Sequence, residues 1–230
     1  LSATVEAEQK FFANRSEAEG KTSDYDLKVF SFNLAGDHAD NFLAGAQNTA
    51  GLNLGFGNVD LSGSKNQKDD HDYAHTEGSY TRLRWNLSRV QFLNDSVSLT
   101  LSGSGQFANT NLDPSEKFYL GGVNGVRAYP TSEGSGSEGY LFAAELRKYL
   151  PNNFTVSTFI DHGSVKQFET NRDITGKAIS DNNNYSLKGY GVSVTWQGPH
   201  NTNVKATYAH RMGRNPNPLV NTNTNEVTDQ

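Results

Sequence analysis

A single arginine among apolar neighbours is the most chemically pointed feature of this 230-residue chain. Arg127 lies in a segment, 110–138, and is flanked there by Leu120, Val126 and Tyr129. A connection of that length inside a compact domain is either functional or disordered. Apolar side chains around one guanidinium suit a loop that folds back into an enclosed space. A guanidinium placed there requires a carboxylate partner, because an unpaired buried charge is costly.

Other constellations carry less. His71 and His75 stand beside Asp69, Asp70 and Asp72 at a spacing that could hold a metal on a helix, but they fall in a polar stretch without helix signals, and a solvated loop is the expectation. Asp161, His162 and a serine could suggest a hydrolase triad, yet no Gly-x-Ser-x-Gly elbow is present and Ser135 sits in a flexible Gly-Ser run. Gly134, Gly136 and Gly139 could imitate a phosphate-binding loop, but no helix follows to supply the dipole such a site needs. The reading is therefore no catalytic group, no metal site, no cofactor and no nucleotide.

The elements that must position Arg127 are strands. Hydrophobic residues make up 34% of the chain and there are 22 glycines, with Asn, Ser and Thr filling the spaces between apolar positions, as many strands with long polar loops would require. The longest apolar runs, such as 140–144, are far short of the roughly 18 residues a membrane helix needs. A spanning β-strand needs only about 9 to 11 residues, apolar on one face and polar on the other, so low mean hydropathy is no objection to a barrel. The net charge of −5 argues against nucleic-acid binding. The absence of cysteine excludes a disulfide framework and Cys-based zinc sites. Leu1 opens inside an alternating pattern with no signal peptide before it, as in a piece of something longer.

Period-two alternation is clearest over 96–109, where Val97, Leu99, Leu101, Gly103, Gly105 and Phe107 oppose Ser98, Thr100, Ser102, Ser104 and Gln106. It recurs over 79–93 and 139–150, and further strands are expected at 2–13, 25–35, 47–61, 153–163, 185–197 and 202–212. In the strand at 25–35 the apolar positions change phase between Val29 and Phe30, which predicts a bulge. No helix is predicted. Connections alternate: tight turns at 94–95, 151–152 and 198–200, long polar ones at 62–76, 110–138 and 164–184, the pattern of an outer-membrane barrel. Phe11, Phe12, Tyr140, Tyr149, Phe154, Trp196 and Tyr208 are candidates for interfacial girdles. The stretch 1–214 is expected to be a partial barrel with the inserted loop 110–138, and 215–230 a terminal loop leading to a further strand. About nine strands is an odd number, so this segment should not close alone.

The stretch 118–140 resembles the sixth-loop signature of the two-partner secretion transporters, the haemolysin-activator and filamentous-haemagglutinin transporter family, relatives of the barrel-assembly protein BamA. The Val-Arg-Gly-Tyr signature is matched by Val126, Arg127, Ala128 and Tyr129, with Ala128 in place of the usual glycine. A second signature, Phe-x-Asp-x-Gly, is matched by Phe159, Asp161 and Gly163. The resemblance implies an all-β, antiparallel transmembrane barrel of sixteen strands in the bacterial outer membrane, of which these would be the seventh to fifteenth. It implies that the loop dips into the barrel and that Arg127 pairs with Asp161. Parity agrees with that pairing, and Glu145, on the polar face of the preceding strand and near Arg147, is a second acceptor candidate. The implied partners are membrane lipid and a secreted, unfolded exoprotein of adhesin or cytolysin type. The rivals are a BamA-like insertase and a soluble β-sandwich adhesin or binding module.

Overall fold

The computed structural model describes residues 1–16 and 21–218. Numbered in chain order, its strands are β1 (Ser2–Ser16), β2 (Lys21–Asp40), β3 (Ala46–Asp60), β4 (Gly78–Asn94), β5 (Val97–Ala108), β6 (Phe118–Tyr119), β7 (Ser135–Gly136), β8 (Glu138–Leu150), β9 (Phe154–Lys166), β10 (Asn184–Gln197) and β11 (Asn203–Arg211). Nine of them form one antiparallel meander in the order β1-β2-β3-β4-β5-β8-β9-β10-β11, and β6 pairs with β7 inside the connection from β5 to β8. Among the described residues β1 and β11 do not pair with each other, so the sheet is an open wall.

Strict alternation along each strand, combined with the register, lines like side chains into rows across the wall. One outer row runs Val5, Phe32, Leu54, Leu83, Phe107. Another runs Leu101, Ala144, Ile160, Tyr190. Among the described residues no layer covers these faces: Phe107 is 58% exposed, Val192 50% and Tyr208 70%. An uncovered apolar surface spread over nine strands is a lipid-facing belt, not half of a sandwich core. The belt ends towards the short turns in polar side chains on the same outer face, where Arg89 donates to Asp40 at 2.7 Å and to Asn48 at 2.7 Å.

The opposite face carries Asn33, Asn53, Arg84 and Gln106 in one row and Ser102, Ala143, Asp161 and Gly189 in another. This is the lumen side.

Three expectations need correcting. β2 has no bulge: it pairs without interruption with β1 and β3. Its phase appears to change because Leu27 and Val29 face the lumen while Phe30, Phe32 and Leu34 face lipid; the first two pack with Val59, Leu61, Tyr80 and Leu112 in an apolar cluster near the long-loop end. The register irregularity lies instead between Phe92 and Asn94. Second, the loop after β3, where no helix is expected, holds a helical turn, Gln67–Asp69 running into a π turn, Asp70–Ala74, stabilised where the Asp70 carboxylate accepts from the Thr76 and Glu77 backbone N–H groups. Finally, two of the girdle candidates face inward: Phe12 stacks on Tyr25 at 4.6 Å, and Tyr149 shares a hydrogen bond with the buried Ser98 at 3.1 Å. Of the terminal stretch, 219–230 lies outside the described residues.

Candidate functional site

The connection between β5 and β8 turns back against the lumen face as a strap, and the two sequence motifs meet there. Phe159, Asp161 and Gly163 alternate along β9 and so project from one face of it. Each serves the strap differently. Asp161, with no solvent exposure, accepts from Arg127 Nε at 3.0 Å, from Nη2 at 2.8 Å and from the backbone N–H of Arg127 at 3.0 Å. The Phe159 ring lies beneath the guanidinium, 3.4 Å from ring centroid to Cζ, a cation–π contact. Gly163 leaves the space that Leu120 of the strap fills: a Cβ there would stand 2.5 Å from Leu120 Cδ2.

Glu145 sits directly across from Phe159 on β8 and accepts from Arg127 Nη1. Its second oxygen takes Arg147 Nε at 2.7 Å. The Arg127 side chain is 11% exposed and is thus held by two carboxylates and a ring. Removing the guanidinium from such a set leaves the buried Asp161 without its cation, at a cost of about 3–5 kcal/mol.

The flanking strap residues pack rather than bond. Leu120, Val126 and Tyr129 join Val165, Tyr185 and Leu187 in a buried cluster. Ala128 does not have positive φ, so its methyl group is unstrained; it rests against Gly189, where a Cβ would stand 2.7 Å from it. A larger residue on β10 would displace it. The end of β11 and the turn after it brace the strap from the other side. Arg211 Nε donates to the Ala128 carbonyl at 3.2 Å and its guanidinium lies 5.0 Å from the Tyr129 ring, while the Tyr129 hydroxyl donates to the Gly213 carbonyl at 3.3 Å.

Two groups of residues had no sequence signal of their own. Glu116 docks on Lys10, Arg82 and Arg84 at the far side of the strap. Asn111, 1% exposed, ties three long connections together: its Nδ2 donates to the carbonyls of Ala74 (2.6 Å) and Thr170 (3.0 Å), and its Oδ1 accepts from the Thr170 N–H (3.0 Å). The only available hint was two inward arginines on β4, Arg82 and Arg84, opposite Gly55, Asn53, Gln106 and Ala108 with no acid among them.

The weaker candidates stay apart from this site. His71 and His75 face each other at 6.3 Å between ring centroids, and His71 pairs with Asp72 at 3.2 Å. Among the described residues no group of three or more His, Asp or Glu could hold a metal. Ser135, Gly134 and Gly136 belong to the returning arm of the strap; Gly134 has φ +67 and packs against Leu187 and Leu120.

Comparison with known proteins agrees with this architecture. The family of the haemolysin secretion/activation protein ShlB/FhaC/HecB matches residues 14–182. The heme/hemopexin transporter protein HuxB of Haemophilus influenzae (strain Rd) is 27% identical over 181 residues, covering 77% of this chain and 32% of that protein. HuxB of strain 86-028NP is 25% identical over the same length. The chain thus spans about a third of the length of the curated relatives it matches. BamA from Haemophilus ducreyi lacking POTRA domains 1–3 superposes with a TM-score of 0.52 at 10% identity, over 92% of this chain and 56% of that one, which shows a shared fold. CdiB from Acinetobacter baumannii gives a TM-score of 0.47 at 14% identity, over 91% and 43% of the two chains. The wall described above is part of an outer-membrane β-barrel. With the match running through β2 to β9 and the whole strap, the chain belongs to the ShlB/FhaC/HecB family of haemolysin secretion/activation proteins.

Proposed function

We propose that this chain forms part of the wall and the inserted strap of a sixteen-stranded outer-membrane transporter, which accepts an unfolded exoprotein from the periplasm and conducts it to the cell surface. The observation that carries this reading is the division of the sheet into an uncovered apolar face and a polar one, with the strap pinned to the polar face through Arg127. An extended polypeptide crossing a membrane must keep its backbone groups hydrated or hydrogen-bonded. Thr49, Asn86, Ser88 and Ser102 on the inner face provide such a lining. The reading needs no nucleotide and no metal.

In the absence of a translocating chain the strap occupies the lumen beside β8 and β9, and Arg127, Tyr129, Asp161 and Glu145 fix it in that position. The cargo is of adhesin or cytolysin type. The names of the Haemophilus relatives add heme or hemopexin transport as a cargo class to test beside these. The test is secretion of the cognate exoprotein by full-length Arg127→Ala and Asp161→Ala variants present at wild-type level in the outer membrane. Both are expected to lose most secretion. Unchanged secretion by both refutes the reading.

A further inference from the structure

Eleven positions before Arg127, the strap carries a buried acid, Glu116, 1% exposed, which neither sequence motif includes. Its carboxylate accepts from Arg82 Nε at 2.6 Å and from Lys10 Nζ at 3.0 Å. Its backbone carbonyl accepts from Arg84 Nη2 at 2.9 Å and from Gln106 Nε2 at 3.0 Å. Asn53 holds Arg82 from behind at 2.9 Å, and Gln106, itself without solvent exposure, also donates to the Ser137 carbonyl at 2.9 Å on the returning arm of the strap. Four wall side chains from β1, β4 and β5 therefore converge on one strap residue.

We propose that Glu116 is a second positioning residue, and that the strap is a two-ended brace docked at Lys10, Arg82 and Arg84 through Glu116 and at Glu145 and Asp161 through Arg127. The proposal deepens the transport reading and rests on it. The polarity of the two ends is reversed. At one end the strap supplies the anion and the wall the cations; at the other the strap supplies the cation and the wall the anions. A strap displaced towards β8 would carry Glu116 towards two carboxylates, so like-charge repulsion opposes the wrong placement while opposite charges favour the right one. Burial alone would raise the Glu116 carboxyl, but the Arg82 and Lys10 cations outweigh it and hold it below the ordinary carboxylate value. Glu116 is thus the anion that this cationic end of the wall requires.

The test uses the full-length protein in planar lipid bilayers, with a cysteine in place of Val123 at the exposed turn of the strap (82% exposed) as a second readout. Glu116→Gln and Arg82→Gln are each expected to raise the open fraction by about tenfold or more, the equivalent of one charge-assisted hydrogen bond. Each is also expected to change the rate at which a membrane-impermeant maleimide labels position 123. The double variant should go little further than either single one, and Glu116→Asp should return both readouts towards wild type. Heat-modifiable gel mobility verifies that each barrel is folded. If Glu116→Gln does not fold, Lys10→Gln, whose side chain is partly exposed, decides the matter by the same two readouts. Wild-type conductance and labelling in a folded Glu116→Gln barrel overturn the proposal. Should Arg127→Ala alter conductance while Glu116→Gln does not, the second anchor falls and the transport reading stands. Should Arg127→Ala and Asp161→Ala both leave secretion intact as well, the transport reading falls with it.

Discussion

Replacing Arg127 with methionine and Asp161 with asparagine, singly and together, isolates the pairing on which the strap depends. In Arg127→Met the carboxylate of Glu145 keeps Arg147 at 2.7 Å, so the group left without its cation is Asp161, which has no solvent exposure and, among the described residues, retains only the backbone N–H of residue 127 at 3.0 Å. Orphaning a buried charge in this way costs about 3–5 kcal/mol. In Asp161→Asn the guanidinium keeps Glu145 and the Phe159 ring, and the loss is that of charge-assisted bonds, about 1.5–3 kcal/mol. The double variant removes both charges and leaves a neutral pocket, so its cost falls short of the sum of the singles by about 2 kcal/mol, within the range of contacting pairs. The assay is urea unfolding of full-length protein reconstituted in lipid vesicles. Additive costs, within about 0.5 kcal/mol, would falsify the engaged pair. So would a larger loss in Asp161→Asn than in Arg127→Met.

Other perturbations follow from the same geometry. Gly163→Ala places a methyl 2.5 Å from Leu120 Cδ2 and 3.1 Å from the Tyr140 carbonyl oxygen, an overpacking worth about 1–3 kcal/mol; Leu120→Ala in the same chain should recover part of it, and failure to do so in the unfolding assay rejects the proposed contact. Ile160→Arg puts a charge on the lipid belt and should cost about 2–4 kcal/mol, lowering the heat-modifiable fraction recovered from the outer membrane, whereas Thr49→Arg on the lumen face beside Asp37 should assemble normally. Equal recovery of the two contradicts the assigned faces. The Glu116 carboxyl lies below its ordinary value in the folded protein. Its contribution is therefore complete above the unfolded value of about 4.3 and is lost as pH falls through the folded one. The stability gap between wild type and Glu116→Gln should accordingly be flat at neutral pH and shrink on acidification below about pH 4, and a gap that widens there has the wrong sign.

Strand positions were legible because amphipathic alternation is a local property: β5 separates Leu99, Leu101 and Phe107 from Ser98, Ser102 and Gln106 on period alone. Alternation does not say which face is outermost, and it misleads wherever the inner face turns apolar. That is what happened at Leu27 and Val29, where a cluster around Leu112 of the strap resembled a bulge. The Arg127 and Asp161 pair could be anticipated because both lie in recognisable motifs and share the expected parity. Glu116 could not, since its partners Lys10 and Arg82 are 106 and 34 positions away and ordinary in their own strands. Why the second motif ends in glycine became plain only once Leu120 was seen to occupy the space above it. The short helical turn at 67–74 depends on the Asp70 carboxylate capping backbone N–H groups six and seven residues on, a closure without a periodic signature.

Photo-crosslinking on a partner exoprotein arrested in transit through the full-length transporter tests the central claim most directly. Crosslinkers replacing Asn86 and Ser102, exposed on the inner face, are predicted to capture the exoprotein. Their immediate neighbours Leu87 and Leu101, exposed on the outer face, are predicted to capture lipid and no exoprotein. Capture from the leucines, or none from positions 86 and 102 while secretion is demonstrably arrested, would contradict a polypeptide path along this polar wall.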